Sequence, residues 1–259
     1  MSFNVIIPAR YASSRLPGKP LLDIAGQTMI ERVYRQAVAS GAARVVVATD
    51  DERIEKVVTD FGGEACMTAD THTSGSERLA EASAMMGLGD DEIVVNLQGD
   101  EPLMPPELLH QVADLLEAET GKENGADVAT LSTKIHSIDE LYDPHVVKVV
   151  TDAAGFALYF SRAVIPWDRD HFAHECGGEK SLPERFIYQR HLGIYAYRVG
   201  YLKQFVSQPS CALEEVESLE QLRVLWSGGK IKLDVADCEP SHGIDTPEDL
   251  ERVIALIAK

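Results

Sequence analysis

Arg10, Arg15 and Lys19 share one short stretch, PARYASSRLPGKPL (Pro8 to Leu21), directly after the apolar run FNVII. The chain as a whole has a formal net charge of −18, so most of its surface repels anions. Three cations gathered behind a strand are the arrangement that draws a polyphosphate in, with loop N–H groups assisting. Gly18 and the prolines keep the stretch from becoming a helix. Its spacing is neither GxxxxGK[ST] nor GxGxxG, so the reading rests on the cations and on Pro8 and Ala9 at the strand's end. Ordinary solvated charge would explain one arginine, but less readily three cations together.

Two further stretches carry carboxylates. Asp100 and Glu101 lie in NLQGDEP (96–102), just after an apolar run, with Gln98 beside them. Magnesium takes one or two carboxylates and fills its remaining positions with phosphate oxygens and water. Asp245 precedes a helix in HGIDTPEDL (242–250), where capping would ordinarily explain an aspartate. Thr246 already fits the cap, which releases Asp245 from that duty. In TADTHTSGSERL (68–79), Ser74, Gly75 and Ser76 form a turn into a helix whose first turn carries Arg78. Base recognition and plain capping both account for those serines. Finally, LYFSRAVIPWDRD and RHLGIYAY supply Arg162, Arg169, His191 and Tyr195. A lone histidine in a strand is more often structural than catalytic, yet these polar groups together suit a hydroxyl-rich acid. Glu217 and Glu220 fall on a helical face and need be no more than solvated charge.

The elements that must position these residues alternate. VIIP (5–8), RVVVAT (44–49) and EIVVNLQ (92–98) read as strands buried on both faces. Helices are expected over 28–40, 51–61 with Asp51 as cap, 74–86, and 105–119 opened by prolines. Repeated βα units make a mostly parallel sheet with helices on both faces. Ligands then sit at the carboxyl ends of the strands, in loops 9–20, 49–51 and 98–102. The second half reads differently: VATLSTKI, VVKVVTD, ALYFSRAVIP and HLGIYAYRV predict an antiparallel extension, roughly residues 128–198. Residues 170–185 read as a surface loop. ESLEQLRVLWSG predicts one helix ending at Gly228, KIKLDVAD a late strand, and TPEDLERVIALIAK a final helix capped by Thr246.

At 259 residues the chain suits one α/β domain, 1–259. Its composition, 45% hydrophobic and 25% charged, is that of a soluble globular protein. No apolar run approaches the ~20 residues of a membrane span, and the N-terminus lacks the pattern of a signal peptide. Cys66, Cys176, Cys211 and Cys238 are scattered, without a CxxC, which suits free thiols in the cytoplasm. The acidic balance argues against nucleic acid as partner.

PARYASSRLPGKPL, VATDD, SGSERL, VVNLQGDEPL, ALYFSRAVIPWDRD, RHLGIYAY, LEQLRVLW and DTPEDLERV, taken in that order, closely resemble the 3-deoxy-manno-octulosonate cytidylyltransferases, or CMP-KDO synthetases. The resemblance runs over nearly the whole chain. It implies a fold of the nucleotide-diphospho-sugar transferase type, a homodimer, and the reaction of CTP with KDO to give CMP-KDO and pyrophosphate with Mg²⁺. KDO is an acidic eight-carbon sugar of bacterial lipopolysaccharide. Carried over by motif, Arg10, Arg15 and Lys19 fall at the triphosphate, with Pro8 and Ala9 beside it. Ser74 and Arg78 fall near the cytosine, and Gln98 near the nucleotide or sugar. Asp100 and Asp245 fall at magnesium, and Arg162, Arg169, His191, Tyr195 and Glu220 around the sugar acid. Ser76 stands where the family often has threonine, which keeps the hydroxyl. The 170–185 segment varies in length in the family and carries no role. Two rivals remain at this stage. One is a cytidylyltransferase for 8-amino-KDO or another acidic sugar. The other is a non-catalytic sugar-nucleotide-binding module, which would be expected to lack a metal carboxylate or the loop cations.

Overall fold

A computed structural model describes residues 2–12, 16–172, 181–240 and 243–257. Arg15, Cys176, the middle of the 170–185 segment and the last two residues of the expected final helix lie outside the described residues. In chain order, β1 (Asn4–Ala9) leads through a 3-10 turn at Lys19–Leu21 to a small hairpin, β2 (Asp23–Ile24) and β3 (Gln27–Thr28). Then follow α1 (Met29–Ala39), β4 (Arg44–Thr49), α2 (Glu52–Asp60), β5 (Ala65–Met67), α3 (Gly75–Met85), β6 (Ile93–Asn96) and α4 (Pro106–Glu117). The second half supplies β7 (Val128–Lys134), β8 (Lys148–Thr151), β9 (Ala157–Ser161), β10 (Gln189–Arg198) and β11 (Ile231–Val235), and a final helix, Pro247–Ile257.

Among the described residues, nine strands form one sheet along the path β11-β7-β10-β6-β1-β4-β5, with β8 on β10 and β9 on β8. The β1–β4, β1–β6, β4–β5 and β7–β11 pairs are parallel, and β10 runs antiparallel to β6, β7 and β8. A mostly parallel first half with an antiparallel extension is therefore the architecture. Burial on both faces explains the apolar runs. In β1, Val5, Ile7 and Ala9 join the cluster formed with α1, α2, α4 and the final helix, while Ile6 joins Ala48, Val94 and residues of α3 on the other face.

Local chemistry sets the helix starts. Thr28 accepts the Glu31 N–H, Asp51 accepts the Arg53 N–H, and Ser74 forms a reciprocal capping box with Glu77. One expectation is corrected. The stretch 217–228 is not a single helix: Ala212–Glu217 ends at Ser218, which is left-handed at φ 51, and Leu222–Trp226 begins after a turn. Glu217 is held across the fold instead, accepting from the Ser161 hydroxyl at 2.7 Å and the Arg162 N–H at 3.0 Å. A helix over Val199–Ser207, absent from the sequence reading, packs beside α3.

Parallel pairing aligns the functional loops. Ile6 stands opposite Asn96, so β6 ends while β1 continues to Ala9. The turn after β6 must then fold over the end of β1. Gly99 permits this, because a Cβ there would lie 3.0 Å from the Pro8 carbonyl oxygen.

Candidate active site

Three segments far apart in sequence meet at the carboxyl ends of β1 and β6. The first is the loop after β1. Gly18 takes φ 68, closed by its N–H on the Tyr11 carbonyl at 3.1 Å, and starts the turn that presents Lys19. A side chain at this position would also press on the Tyr11 ring at 3.2 Å, so glycine is needed twice over. The second is the 98–101 turn, with Glu101 N–H on the Gln98 carbonyl. The third is the approach to the final helix, tied to the second by the Ile244 N–H on the Asp100 carbonyl at 3.0 Å.

These segments bring Lys19 Nζ to 2.7 Å from Asp100 Oδ2 and 3.1 Å from Asp245 Oδ1. Lys19 is largely buried while the two aspartates stay open to solvent. Burial lowers the lysine's pKa, but the ion pairs with Asp100 and Asp245 outweigh it and the net shift is upward. The release of Asp245 from capping holds: Thr246 Oγ1 accepts the Asp249 N–H at 3.2 Å, which leaves the Asp245 carboxylate to Lys19. Pro8, Ala9, Arg10, Ala12, Lys19, Pro20, Gln98, Gly99, Asp100 and Asp245 line one cleft of about 360 Å³. Seven of the residues singled out in the sequence are thereby brought together, whereas Arg15 lies outside the described residues.

Glu101, which follows Asp100 in NLQGDEP and was not among the expected site residues, is partly buried beside it. Burial first, then the charges of Asp100 and Asp245, push its carboxyl up to about 7. Its proximity to Asp100 in NLQGDEP was the available signal.

The fit to magnesium rests on the donors. Asp100 and Asp245 converge on a single cationic atom, Lys19 Nζ, so both carboxylates already face one locus of positive charge. Among the described residues, no group of three or more His, Cys, Asp and Glu side chains is arranged to hold a metal unaided. Two carboxylates with phosphate oxygens completing the shell suit magnesium.

The remaining residues flank this centre at different depths. Arg10 Nη2 bonds the carbonyls of His72 and, at 3.4 Å, Ser74, linking the first loop to the SGSER turn. Arg78 is fully buried, and its terminal nitrogens are taken by Asp50, at 2.6 Å, and Thr68. It braces the turn from beneath and does not line the cleft. Glu220 accepts from Ser76 Oγ at 2.7 Å and Arg223 Nη2 at 3.1 Å. His191 and Tyr195 sit on β10 across a register shift between Leu192 and Tyr195. Four residues of regular strand would separate them by roughly 13 Å, but the irregularity brings their rings to 5.3 Å. The Thr130 hydroxyl donates to the Ile194 carbonyl at 2.7 Å, so His191 Nε2, 3.2 Å away, is its donor. Burial pushes the His191 imidazole down to about 3, leaving it neutral. Arg162 is spent on the carbonyls of Glu217, Pro144 and Ser218. Arg169 is exposed and pairs with Asp170, away from the cleft.

Residues 4–231 match the family described as cytidylyltransferase. A 3-deoxy-manno-octulosonate cytidylyltransferase from Actinobacillus succinogenes is 53% identical over 99% of this chain and 98% of its own length. One from Glaesserella parasuis is 56% identical over 99% of this chain and 98% of its own. A solved CMP:2-keto-3-deoxy-manno-octonic acid synthetase complexed with CTP superposes with a TM-score of 0.88 at 41% identity, covering 100% of this chain and 99% of that one. The fold is thus that of a nucleotidyltransferase. Within that class the chain belongs to the 3-deoxy-manno-octulosonate cytidylyltransferase family.

Proposed function

We propose that this chain transfers CMP from CTP to KDO, releasing pyrophosphate and supplying activated KDO for lipopolysaccharide synthesis in the cytoplasm. The observation that carries the site assignment is Lys19 held between Asp100 and Asp245 in the cleft at the ends of β1 and β6. The anomeric hydroxyl of the sugar attacks the α-phosphorus, and pyrophosphate leaves in line. Such a displacement asks the protein mainly for positioning and charge stabilisation. Lys19 and Arg10, with Arg15 from the same loop, offset the charge that grows on the leaving pyrophosphate. Gly99 lets the 98–101 turn lie flat on β1, so Gln98 and Asp100 reach the same cleft. Asp100 and Asp245 would hold magnesium, which when bound would supply Lewis-acid charge beside the triphosphate and favour ionisation of the attacking hydroxyl. Ser74 and Arg78 order the base side, the latter through Asp50 and Thr68. His191, Tyr195 and Glu220 shape the sugar side, and neutral His191, its Nε2–H given to Thr130, offers Nδ1 as an acceptor for a sugar hydroxyl and brings no charge.

The active unit is a homodimer formed through the antiparallel extension. Trp167, Phe186 and Ile187 are exposed there, 57%, 41% and 62%. Tyr188 joins the two segments by donating to the Pro166 carbonyl at 3.0 Å. Among the described residues no helix is long and apolar enough to cross a membrane.

Pyrophosphate release with CTP and magnesium, measured against KDO, 8-amino-KDO and sialic acid, tests the substrate. Release with KDO, dependent on CTP and abolished by a chelator, is expected. Release with another sugar alone replaces the substrate and keeps the chemistry. CTP binding without release from any of them favours a binding module.

A further inference from the structure

The 69–74 turn between β5 and α3 belongs to neither a helix nor a strand. Two glutamates on α3 hold it. Glu77 Oε2 accepts the N–H groups of Thr73 at 2.6 Å and Ser74 at 3.2 Å, as a capping residue does. Glu81 lies one helical turn further along the same face, where capping asks for nothing. Its Oε2 nevertheless accepts the Ala69 N–H at 2.9 Å and meets His72 Nε2. His72 Nδ1 lies 3.9 Å from Glu77 Oε2, so the imidazole sits between the two carboxylates, hydrogen-bonded to Glu81. All three side chains are only partly exposed. The outcome of this arrangement is the fixed direction of two carbonyls, His72 and Ser74, and both accept from Arg10 Nη2.

We propose that Glu81 and His72 are positioning residues for nucleotidyl transfer, fixing the 69–74 turn so that its carbonyls aim the Arg10 guanidinium into the cleft. Arginine is long and flexible, and its planar fork serves a phosphate only when its orientation is set beforehand. Arg10 follows directly on β1, and among the described residues the 69–74 turn supplies its acceptors. Glu81 and His72 touch no substrate and act through Arg10, so the inference rests on Arg10 facing the triphosphate.

The test is a double-mutant cycle read by pyrophosphate release, with CTP varied at saturating KDO and magnesium. Glu81→Ala is expected to lower kcat/KM for CTP by about tenfold and to leave KM for KDO at its wild-type value. In an Arg10→Ala background the same change should add almost nothing, because the path through Arg10 is already gone. Glu81→Gln, which keeps an acceptor for the Ala69 N–H, should recover part of the loss. If Glu81→Ala does not fold, His72→Gln completes the same cycle. Additive losses, or an unchanged CTP dependence in the single variant, overturn the proposal while Arg10 keeps its place. A silent Arg10→Ala removes Arg10 from the triphosphate and the proposal with it.

Discussion

Lys19 holds together two carboxylates that would otherwise repel each other, in the cleft proposed for the two anionic substrates. Glu101 adds a third acid at little electrostatic cost, because burial favours its protonated form. His191 obeys the same physics with the opposite sign. Its folded value of about 3 lies below the usual imidazole value near 6.5, so the folded state keeps it neutral. Below that usual value the unfolded chain binds the extra proton. The stability His191 contributes is therefore present above about pH 6.5 and lost progressively as pH falls toward 3. Urea midpoints followed from about pH 7 to about pH 5 should fall more steeply for the wild type than for His191→Asn. Parallel slopes would show that His191 titrates normally in the folded protein.

At the scale of elements, the junction before the final helix divides its duties between neighbours. Thr246 serves the helix and Asp245 serves the cleft. Thr246→Ala should cost about 1 kcal/mol of stability with activity retained, whereas Asp245→Asn should cost turnover with the melting temperature little changed. Both parts follow from one denaturation curve and one rate per variant, and the reverse pattern would assign the roles the other way. The strand RVVVAT was legible to the residue because burial on both faces writes itself as an unbroken β-branched run. The break at Ser218 was not legible, since Glu217 is drawn across the fold to Ser161 and Arg162, which no local spacing reveals. The strand Ala65–Met67 was missed for a similar reason: it is three residues long and defined by its pairing with β4. In the candidate site, Arg10, Lys19 and Asp100 were legible by residue type and by position after strands, and Asp245 by its place before a helix that Thr246 caps. That Arg78 lies beneath the turn, held by Asp50 and Thr68, depends on packing and could not be read from SGSER.

The whole molecule carries a strongly acidic balance, net −18, and the cleft sets Arg10 and Lys19 beside Asp100 and Asp245. The antiparallel extension carries His191 and Tyr195, and it also exposes Trp167, Phe186 and Ile187. Apolar groups gathered on a monomer's surface mark an interaction site. Light scattering after size exclusion should give twice the chain mass for the wild type, and Ile187→Asp should shift the population to monomer. A wild-type monomer at micromolar concentration would remove the extension as a dimer interface.

The proposed centre of nucleotidyl transfer is the meeting of Lys19, Asp100 and Asp245. The measurement that reaches it most directly is the turnover of Asp100→Asn at saturating CTP and KDO, followed through a magnesium titration with the fold checked by circular dichroism. The expected result is a folded protein whose turnover is down by at least about a hundredfold and is not restored by more magnesium. Near-normal turnover once magnesium saturates would contradict the assignment of Asp100 and move the centre of the reaction elsewhere in the fold.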